Sequence, residues 1–240
     1  MSDPVVRIAS FDVGKKNFAQ YIEDVNTATL EELRNDYNSL PRSKQRRVKG
    51  PMNNEITVLL DAVYLCGTRV DMGVFDLRSA ECVDAKSRGV DMKTRLNIVQ
   101  HLEAYKYLYD TCDVFIVEQQ FTSTFTPKGR RNPTMQSNID AIKIGEIVMT
   151  WLMTHYRDKT IEHYGSQFKT QTLGAPNSLT KPQRKKWSVE KAREIFELRE
   201  DTEALTQMTA SKKGGQKQDD VADACIQCQS YKFRAMVAQF

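Results

Sequence analysis

The alternation of hydrophobic and polar positions divides the chain into short apolar runs and longer helical segments. Residues 5–11 (VVRIASF) are apolar and rich in β-branched side chains, which predicts a buried strand that ends at Asp12. Residues 17–22 predict a second strand, and residues 55–66 and 69–77 predict two more, joined by a turn at residues 67–68. Residues 113–117 (DVFIV) and 160–164 (TIEHY) predict further core strands.

Helical spacing of apolar residues predicts helices over residues 91–109, 134–156, 188–197 and 219–233. Thr27 is predicted to cap a helix within a basic segment at residues 26–54, and Ser188 to cap the helix that follows a loop at residues 167–186. Antiparallel strands followed by βαβ units predict an α/β fold, with a mixed sheet flanked by helices. We expect one domain over residues 1–240, interrupted by a basic helical insertion at residues 26–54.

Composition agrees with a globular protein, since 40% of the residues are hydrophobic and 28% are charged. No apolar run approaches the ~20 residues that cross a bilayer, and the N-terminus lacks a signal-peptide pattern, so we expect an intracellular protein. The five scattered cysteines argue against a disulfide framework. Cys225 and Cys228 form a C-x-x-C motif, which we interpret as two small apolar residues on a helix rather than as a metal or redox site.

The net charge is only +4, but the basic residues are clustered at residues 42–49, 128–131, 181–186 and 212–217. Such clusters are often solvated loops. Here each lies next to a segment of interest, which favours a polyanionic partner. The candidate residues for binding such a partner, taken from the last three clusters, are Lys128, Arg130, Arg131, Lys181, Arg184, Lys185, Lys186, Lys212 and Lys213.

Four acidic residues stand where catalytic chemistry would need them. Asp12 and Glu118 each end a predicted buried strand, and Asp220 and Asp223 are three residues apart, so they share one helix face. Taken singly, Asp12 could form a turn, and the Asp220/Asp223 pair could be an acidic helix start. Together the four carboxylates predict a site for divalent cations, which are bound by oxygen ligands and activate water for phosphodiester hydrolysis.

Three motifs carry a resemblance to a known family. FDVGKKNFA (residues 11–19), VEQQF (117–121) and QDDVADAC (218–225) resemble, in this order, the motifs of virus-type Holliday-junction resolvases of the RuvC-like superfamily, similar to the poxvirus enzymes. The resemblance implies an RNase H-like fold, a homodimer and magnesium-dependent paired nicking of four-way DNA junctions. It makes Asp12, Glu118, Asp220 and Asp223 the metal ligands. Lys169 is the best match for an active-site lysine, and Lys181 and Lys186 match less well.

We therefore expect two Mg²⁺ ions per active site, with Mn²⁺ able to substitute, and no nucleophilic side chain. Phe121 and Phe125 are predicted either to wedge between bases at the junction or to pack in the core. The expected partners are branched DNA and a second copy of the chain, with no small-molecule substrate and no membrane; the place of action would be an infected cell. Two alternatives stay open: an RNase H-like nuclease for RNA–DNA hybrids or flaps, and a non-catalytic DNA-binding protein of the same fold.

Overall fold

The computed structural model describes residues 4–45, 52–78, 89–120, 138–213 and 218–239. These residues form a five-stranded sheet in the order β3-β2-β1-β4-β5. Strand β2 is antiparallel to both β1 and β3, whereas β1, β4 and β5 are mutually parallel. This order and these directions are those of an RNase H-like sheet, and the predicted mixed sheet flanked by helices is confirmed. The strands are β1 (Val5–Asp12), β2 (Phe18–Asn26), β3 (Gly67–Phe75), β4 (Val114–Gln119) and β5 (Thr160–Gly165).

Helices connect and cover the strands. Between β2 and β3 lie α1 (Thr27–Ser39) and α2 (Asn54–Leu65), and before β4 lie α3 (Met92–Ala104) and the short α4 (Lys106–Tyr109). Helix α5 (Ile139–His155) joins β4 to β5. After β5 the chain forms α6 (Ser166–Thr172), α7 (Lys181–Leu198), α8 (Thr202–Lys213) and α9 (Gln218–Tyr231), which continues into a π-helical segment, Lys232–Val237. Within the described ranges, no helix has the length and apolar character needed to cross a bilayer.

The sheet separates two hydrophobic cores because successive strand side chains point to opposite faces. Ile8 of β1 and Ile116 of β4 pack into a core that includes residues of α1, α2, α7 and α9. Phe11 and Phe115 point the other way, into a core shared with α3, α4 and α5. Different helices therefore pack on the two faces of the sheet, and the site described below lies on the face that packs against α9.

The strand predicted over residues 55–66 was wrong, because Asn54–Leu65 form helix α2. Ile56, Leu59, Leu60 and Val63 are buried on one side of this helix, whereas Val58 is 67% exposed. This is the 3.6-residue period of a helix rather than the two-residue period of a strand. The Asn53 side chain caps the helix by accepting a hydrogen bond from the Ile56 backbone N–H at 2.9 Å. Residues 67–68, predicted as a turn, instead begin β3.

Three other local predictions were also wrong. Residues 167–186, predicted as a loop, contain α6 and the start of α7, so Ser188 lies inside a helix rather than at its cap. The capping box at the start of α7 is formed by Thr180 and Gln183. Asn26, not Thr27, caps α1, because its side chain accepts a hydrogen bond from the Thr29 N–H at 3.0 Å.

A cluster of charged groups is buried where β2, α7 and the end of α9 meet. The Glu23 carboxylate accepts hydrogen bonds from Arg199 Nη1 at 2.8 Å and from Gln229 Nε2 at 2.7 Å, and it also binds the Lys232 ammonium. Glu23 and Lys232 are both fully buried. A Cβ atom at Gly67 would lie 1.9 Å from Glu23 Oε1, so only glycine lets β3 approach this group. We call these residues the Glu23 cluster, and they join three separate elements to one buried carboxylate.

Candidate active site

Strand alternation and register bring Asp12 and Glu118 side by side. Asp12 belongs to the row of β1 side chains that contains Ile8 and Ser10, and Glu118 to the row of β4 that contains Ile116. The parallel pairing of β1 with β4 runs to Phe11 opposite Val117, so the next residue on each strand is one of the two acids. Both acids thus lie at the carboxyl ends of neighbouring parallel strands, on the face covered by α9.

Hydrogen bonds beneath the two acids fix α9 against the sheet. Ser10 Oγ donates to the Ala224 carbonyl at 2.8 Å. Gln227 Nε2 lies 3.1 Å from Ser10 Oγ, 3.2 Å from the Phe11 carbonyl and 3.4 Å from the Ile116 carbonyl, so one buried amide spans β1 and β4. Asp223 is one turn before Gln227 on the same helix face, which carries its carboxylate over the strand ends.

The Lys169 ammonium lies between three of the acids. Its Nζ is 2.8 Å from Glu118 Oε1, 3.4 Å from Asp223 Oδ2 and 3.8 Å from Asp12 Oδ1. Helix α6 presents this lysine from the end of β5, and the residue is only 6% exposed. Residues from β1, β4, α6 and α9 therefore converge on one point, as expected for a site assembled by the fold rather than by a local motif.

Burial and mutual charge shift the pKa values of these groups. The pKa of Asp12 is raised well above its ordinary value, first by burial and then by the neighbouring Glu118 charge. Burial also raises the pKa of Asp223. For Glu118, burial acts in the same direction, but the Lys169 charge and hydrogen bonds from Asp12, Lys169 and Gln120 outweigh it and lower the pKa. The carboxyl groups are thus too close to be ionised together without a cation.

Two neighbours that the sequence analysis did not select hold the acids in place. Gln120 Nε2 donates to Glu118 Oε2 at 2.5 Å. Ser188 of α7 is buried and forms a side-chain hydrogen bond that lowers the pKa of Asp223. The second glutamine of the VEQQF motif was a visible signal for Gln120. The role of Ser188 depends on α7 packing against α9, which no local pattern shows.

The other predicted site residues fall into four groups. Asp220 is half-buried one turn before Asp223 on α9. On α7, Lys181, Arg184 and Lys186 are exposed, whereas Lys185 forms an ion pair with Asp219 at the start of α9. Lys212 and Lys213 are the last residues of α8. The remaining candidates, Phe121, Phe125, Lys128, Arg130 and Arg131, lie outside the described residues.

The donor chemistry of the site suits a hard divalent cation, because Asp12, Glu118 and Asp223 supply carboxylate oxygens from three rigid elements. Their present spacing is set by the Lys169 ammonium. Accordingly, no three acidic, histidine or cysteine side chains among the described residues are spaced as ligands of a single metal ion. The three carboxyl groups outnumber the one ammonium, so a bound divalent cation would favour the ionised form of Asp12, whose pKa is raised.

A cleft of about 160 Å³ opens beside Glu118, between the end of β4 and the first turns of α5. It gives a ligand a route to the strand ends. Its lining consists of Glu118, Gln119, Gln120, Ala141, Ile142, Gly145, Glu146 and His163.

Comparison with known proteins finds viral relatives of similar length. No family model matches the chain. It is 29% identical over 235 residues to uncharacterized protein 97L of Invertebrate iridescent virus 3, covering 94% of this chain and 98% of that protein. It is 25% identical over 252 residues to uncharacterized protein 170L of Invertebrate iridescent virus 6, covering 96% and 90%.

Two kinds of solved structure share the general arrangement at low identity. The fowlpox virus Holliday junction resolvase matches with a TM-score of 0.43 and 14% identity, covering 94% of this chain and 96% of that one. Thermus thermophilus RuvC matches with a TM-score of 0.45 and 13% identity, covering 96% and 98%. The fold assignment rests on the strand order and directions given above.

The Gln227 amide provides a test of how α9 is fixed. We expect Gln227→Met to lower the free energy of unfolding by about 1–3 kcal/mol, because the buried Ser10 hydroxyl and two carbonyls lose a donor. Urea denaturation measures the change. Gln100→Met, at an exposed position of α3, is the matched control. Equal stabilities of the two variants would show that the amide does not fix the helix.

Proposed function

We propose that this protein is a magnesium-dependent endonuclease that resolves four-way DNA junctions by paired nicks. The observation that carries the proposal is the convergence of Asp12, Glu118 and Asp223 around one cationic point at the carboxyl ends of β1 and β4. Oxygen ligands from rigid elements at such an edge are what metal-dependent phosphodiester hydrolysis requires. No nucleophilic serine or cysteine is needed for this chemistry.

In the proposed mechanism Asp12, Glu118, Asp220 and Asp223 hold two Mg²⁺ ions. When bound, Mg²⁺ supplies an activated water and stabilises charge on the leaving oxygen. The chain's own residues do the positioning. Gln120 fixes the rotamer of Glu118, and Ser188 fixes that of Asp223. Lys169 provides an ammonium that binds a non-bridging phosphate oxygen and offsets the charge that develops there.

Branched DNA is the substrate that the sequence motifs favour. The three motifs resemble those of virus-type junction resolvases, and the two viral relatives agree with action on viral DNA in an infected cell. A homodimer follows from the reaction itself, because two symmetric cuts need two sites related by a two-fold axis. The exposed basic residues at the start of α7 precede Ser188, which contacts Asp223, and this supports their assignment as contacts to DNA phosphates.

A nicking assay tests the proposal directly. Purified protein with Mg²⁺ is incubated with a synthetic four-way junction, a linear duplex of the same arm sequence and an RNA–DNA hybrid. We expect paired nicks in the junction, little cutting of the other two substrates, and no cutting after addition of a chelator. Preferential cutting of the hybrid would replace the proposal with an RNase H-type activity. Junction binding without cutting would indicate a non-catalytic DNA-binding protein.

The α7 surface gives a second prediction. Replacing Arg184 and Lys186 together with glutamine should weaken junction binding and reduce the slope of log affinity against log salt by about 1–2 units, because each phosphate contact releases bound counterions. Fluorescence anisotropy at several salt concentrations measures the slope.

The double variant Arg157→Gln/Arg193→Gln is the matched control, since it removes the same charge from exposed positions after α5 and later in α7. An equal change of slope in both double variants would mean that α7 has no special part in binding.

A further inference from the structure

The position of the Lys169 ammonium indicates a role in addition to binding substrate. Its ammonium lies within 3.8 Å of one oxygen from each of three carboxyl groups, and the side chain is 8% exposed. A lysine whose only task is to bind phosphate would gain more by pointing to solvent, where the DNA approaches. Here the ammonium points inward and takes the place that is nearest to all three acids.

The backbone around Lys169 is fixed, whereas its ammonium is at the end of a flexible aliphatic side chain. Ser230 Oγ donates to the Phe168 carbonyl at 3.0 Å, and the Arg234 guanidinium stacks over the Phe168 ring at 3.7 Å. Helix α6 is therefore held by α9 and the π-helical segment. Four methylene groups separate this anchored backbone from the ammonium, so Nζ can move by several ångströms without any change in the fold.

An ammonium and a divalent cation cannot share this point. Mg²⁺ binds oxygen ligands at about 2.0–2.1 Å, which is shorter than the 2.8–3.8 Å that now separate Nζ from these oxygens, so the carboxylates would have to close around an ion that takes the place of the ammonium. Two positive charges among the same carboxylates repel strongly in a buried site. The cation can enter only if the ammonium leaves.

We infer that Lys169 is a built-in counter-cation for the Asp12, Glu118 and Asp223 carboxylates, and that a divalent cation binds this site by displacing the Lys169 ammonium. The lysine keeps the acids together when no metal is present, and the displaced ammonium becomes available to an incoming phosphate. The inference rests on the proposed function, which identifies the site as a metal site. The tests below use no DNA, so the inference can fail while junction cutting succeeds, and junction cutting can fail while the inference holds.

The first experiment needs no mutation. Protein freed of metal with a chelator is treated briefly with acetic anhydride, with and without Mn²⁺, and acetylation of each lysine is measured by mass spectrometry. Lys169 should become at least ~5-fold more reactive with Mn²⁺, because its ammonium moves from a buried to an exposed position. Lys232, fully buried and bound to Glu23, is the internal control and should not change. Unchanged or reduced labelling of Lys169 would overturn the inference.

The second experiment measures Mn²⁺ binding by calorimetry. Lys169→Met should bind Mn²⁺ at least ~10-fold more tightly than the wild type, because no ammonium must be displaced. Without metal, the same variant should melt at least ~5 °C lower, since its buried carboxylates have lost their cation. Lys191→Met, which removes a lysine paired with Glu194 on α7, is the control for loss of one charge.

The two possible roles of Lys169 give opposite results. If the lysine supports metal binding instead of competing with it, Lys169→Met will bind Mn²⁺ as weakly as the wild type or more weakly, and the inference is wrong. A variant that folds only when Mn²⁺ is present would support it. Should the variant not fold in either condition, the labelling experiment on the wild type decides.

Discussion

We expect Asp12→Asn, Glu118→Gln and Asp223→Asn each to lower the single-turnover rate of junction cutting by at least ~10³-fold, which corresponds to about 4 kcal/mol of barrier. Each substitution keeps the size of the side chain but removes a charged oxygen ligand from a group of three that converges on one cationic point. Junction affinity should stay within about threefold, because the proposal assigns DNA binding to the basic surface of α7 and not to the acids.

Asp219→Asn is the matched control for these variants. Asp219 is the neighbouring acid on α9, but its carboxylate pairs with Lys185 instead of Lys169. We expect it to keep at least about a tenth of the wild-type rate, within ~1.4 kcal/mol of barrier. Near-wild-type turnover by any of the three site variants would remove that residue from the proposed metal ligands, and equal loss in the Asp219 variant would mean that general negative charge on α9 is what matters.

The largest effect on stability is expected from Glu23→Gln. The substitution leaves Arg199 and Lys232 without their shared carboxylate in a fully buried place, which should lower the free energy of unfolding by about 3–5 kcal/mol. Urea denaturation measures the loss. Asp24→Asn is the control, since the neighbouring carboxylate forms a partly exposed pair with Arg7 and should cost about 1 kcal/mol or less.

The effect of Glu23 should also depend on pH. Although burial opposes it, the charges of Arg199 and Lys232 lower the pKa of Glu23 to about 2, against an ordinary value of 4.5. A carboxylate with a lowered pKa adds stability that is complete above its unfolded pKa and is lost as pH falls through its folded pKa. The difference between wild type and Glu23→Gln should therefore hold above about pH 5 and shrink by roughly 3 kcal/mol towards pH 2. A constant difference would mean that packing, not charge, explains the loss.

The sequence was sufficient to predict the sheet and its two acidic strand ends. Strands β1 and β4 are short and apolar, and each has a carboxylate as its last or second-last residue, so the strand and the acid at its end follow from local composition. The direction of β4 follows from the helical crossover that precedes it, whereas its pairing with β1, which sets Asp12 beside Glu118, was not predicted from the sequence.

Other parts of the fold depend on contacts that local patterns do not contain. The apolar, β-branched residues of α2 are compatible with a strand as well as a helix. Packing against α1 and α7 and the Asn53 cap favour the helix. Helix α6 has only seven residues and no side-chain cap, and it is held in place by α9. The inward direction of the Lys169 side chain could not be predicted from the sequence either, because it is determined by three carboxylates on three other elements.

The distance along the chain between the members of the site has a consequence for synthesis. Asp12 and Asp223 are 211 residues apart (223 − 12), and α9 must dock before Ser10, Gln227 and the two strand ends are joined. At the usual rate of translation, roughly 10–40 s pass between the addition of these two residues. Glu118 is added 106 residues after Asp12 (118 − 12), so for about the second half of that interval the nascent chain holds both strand-end carboxyl groups without the helix that completes the site. A polypeptide that stops before α9 thus lacks Asp220 and Asp223, so under the proposed function a truncated product would not cut DNA.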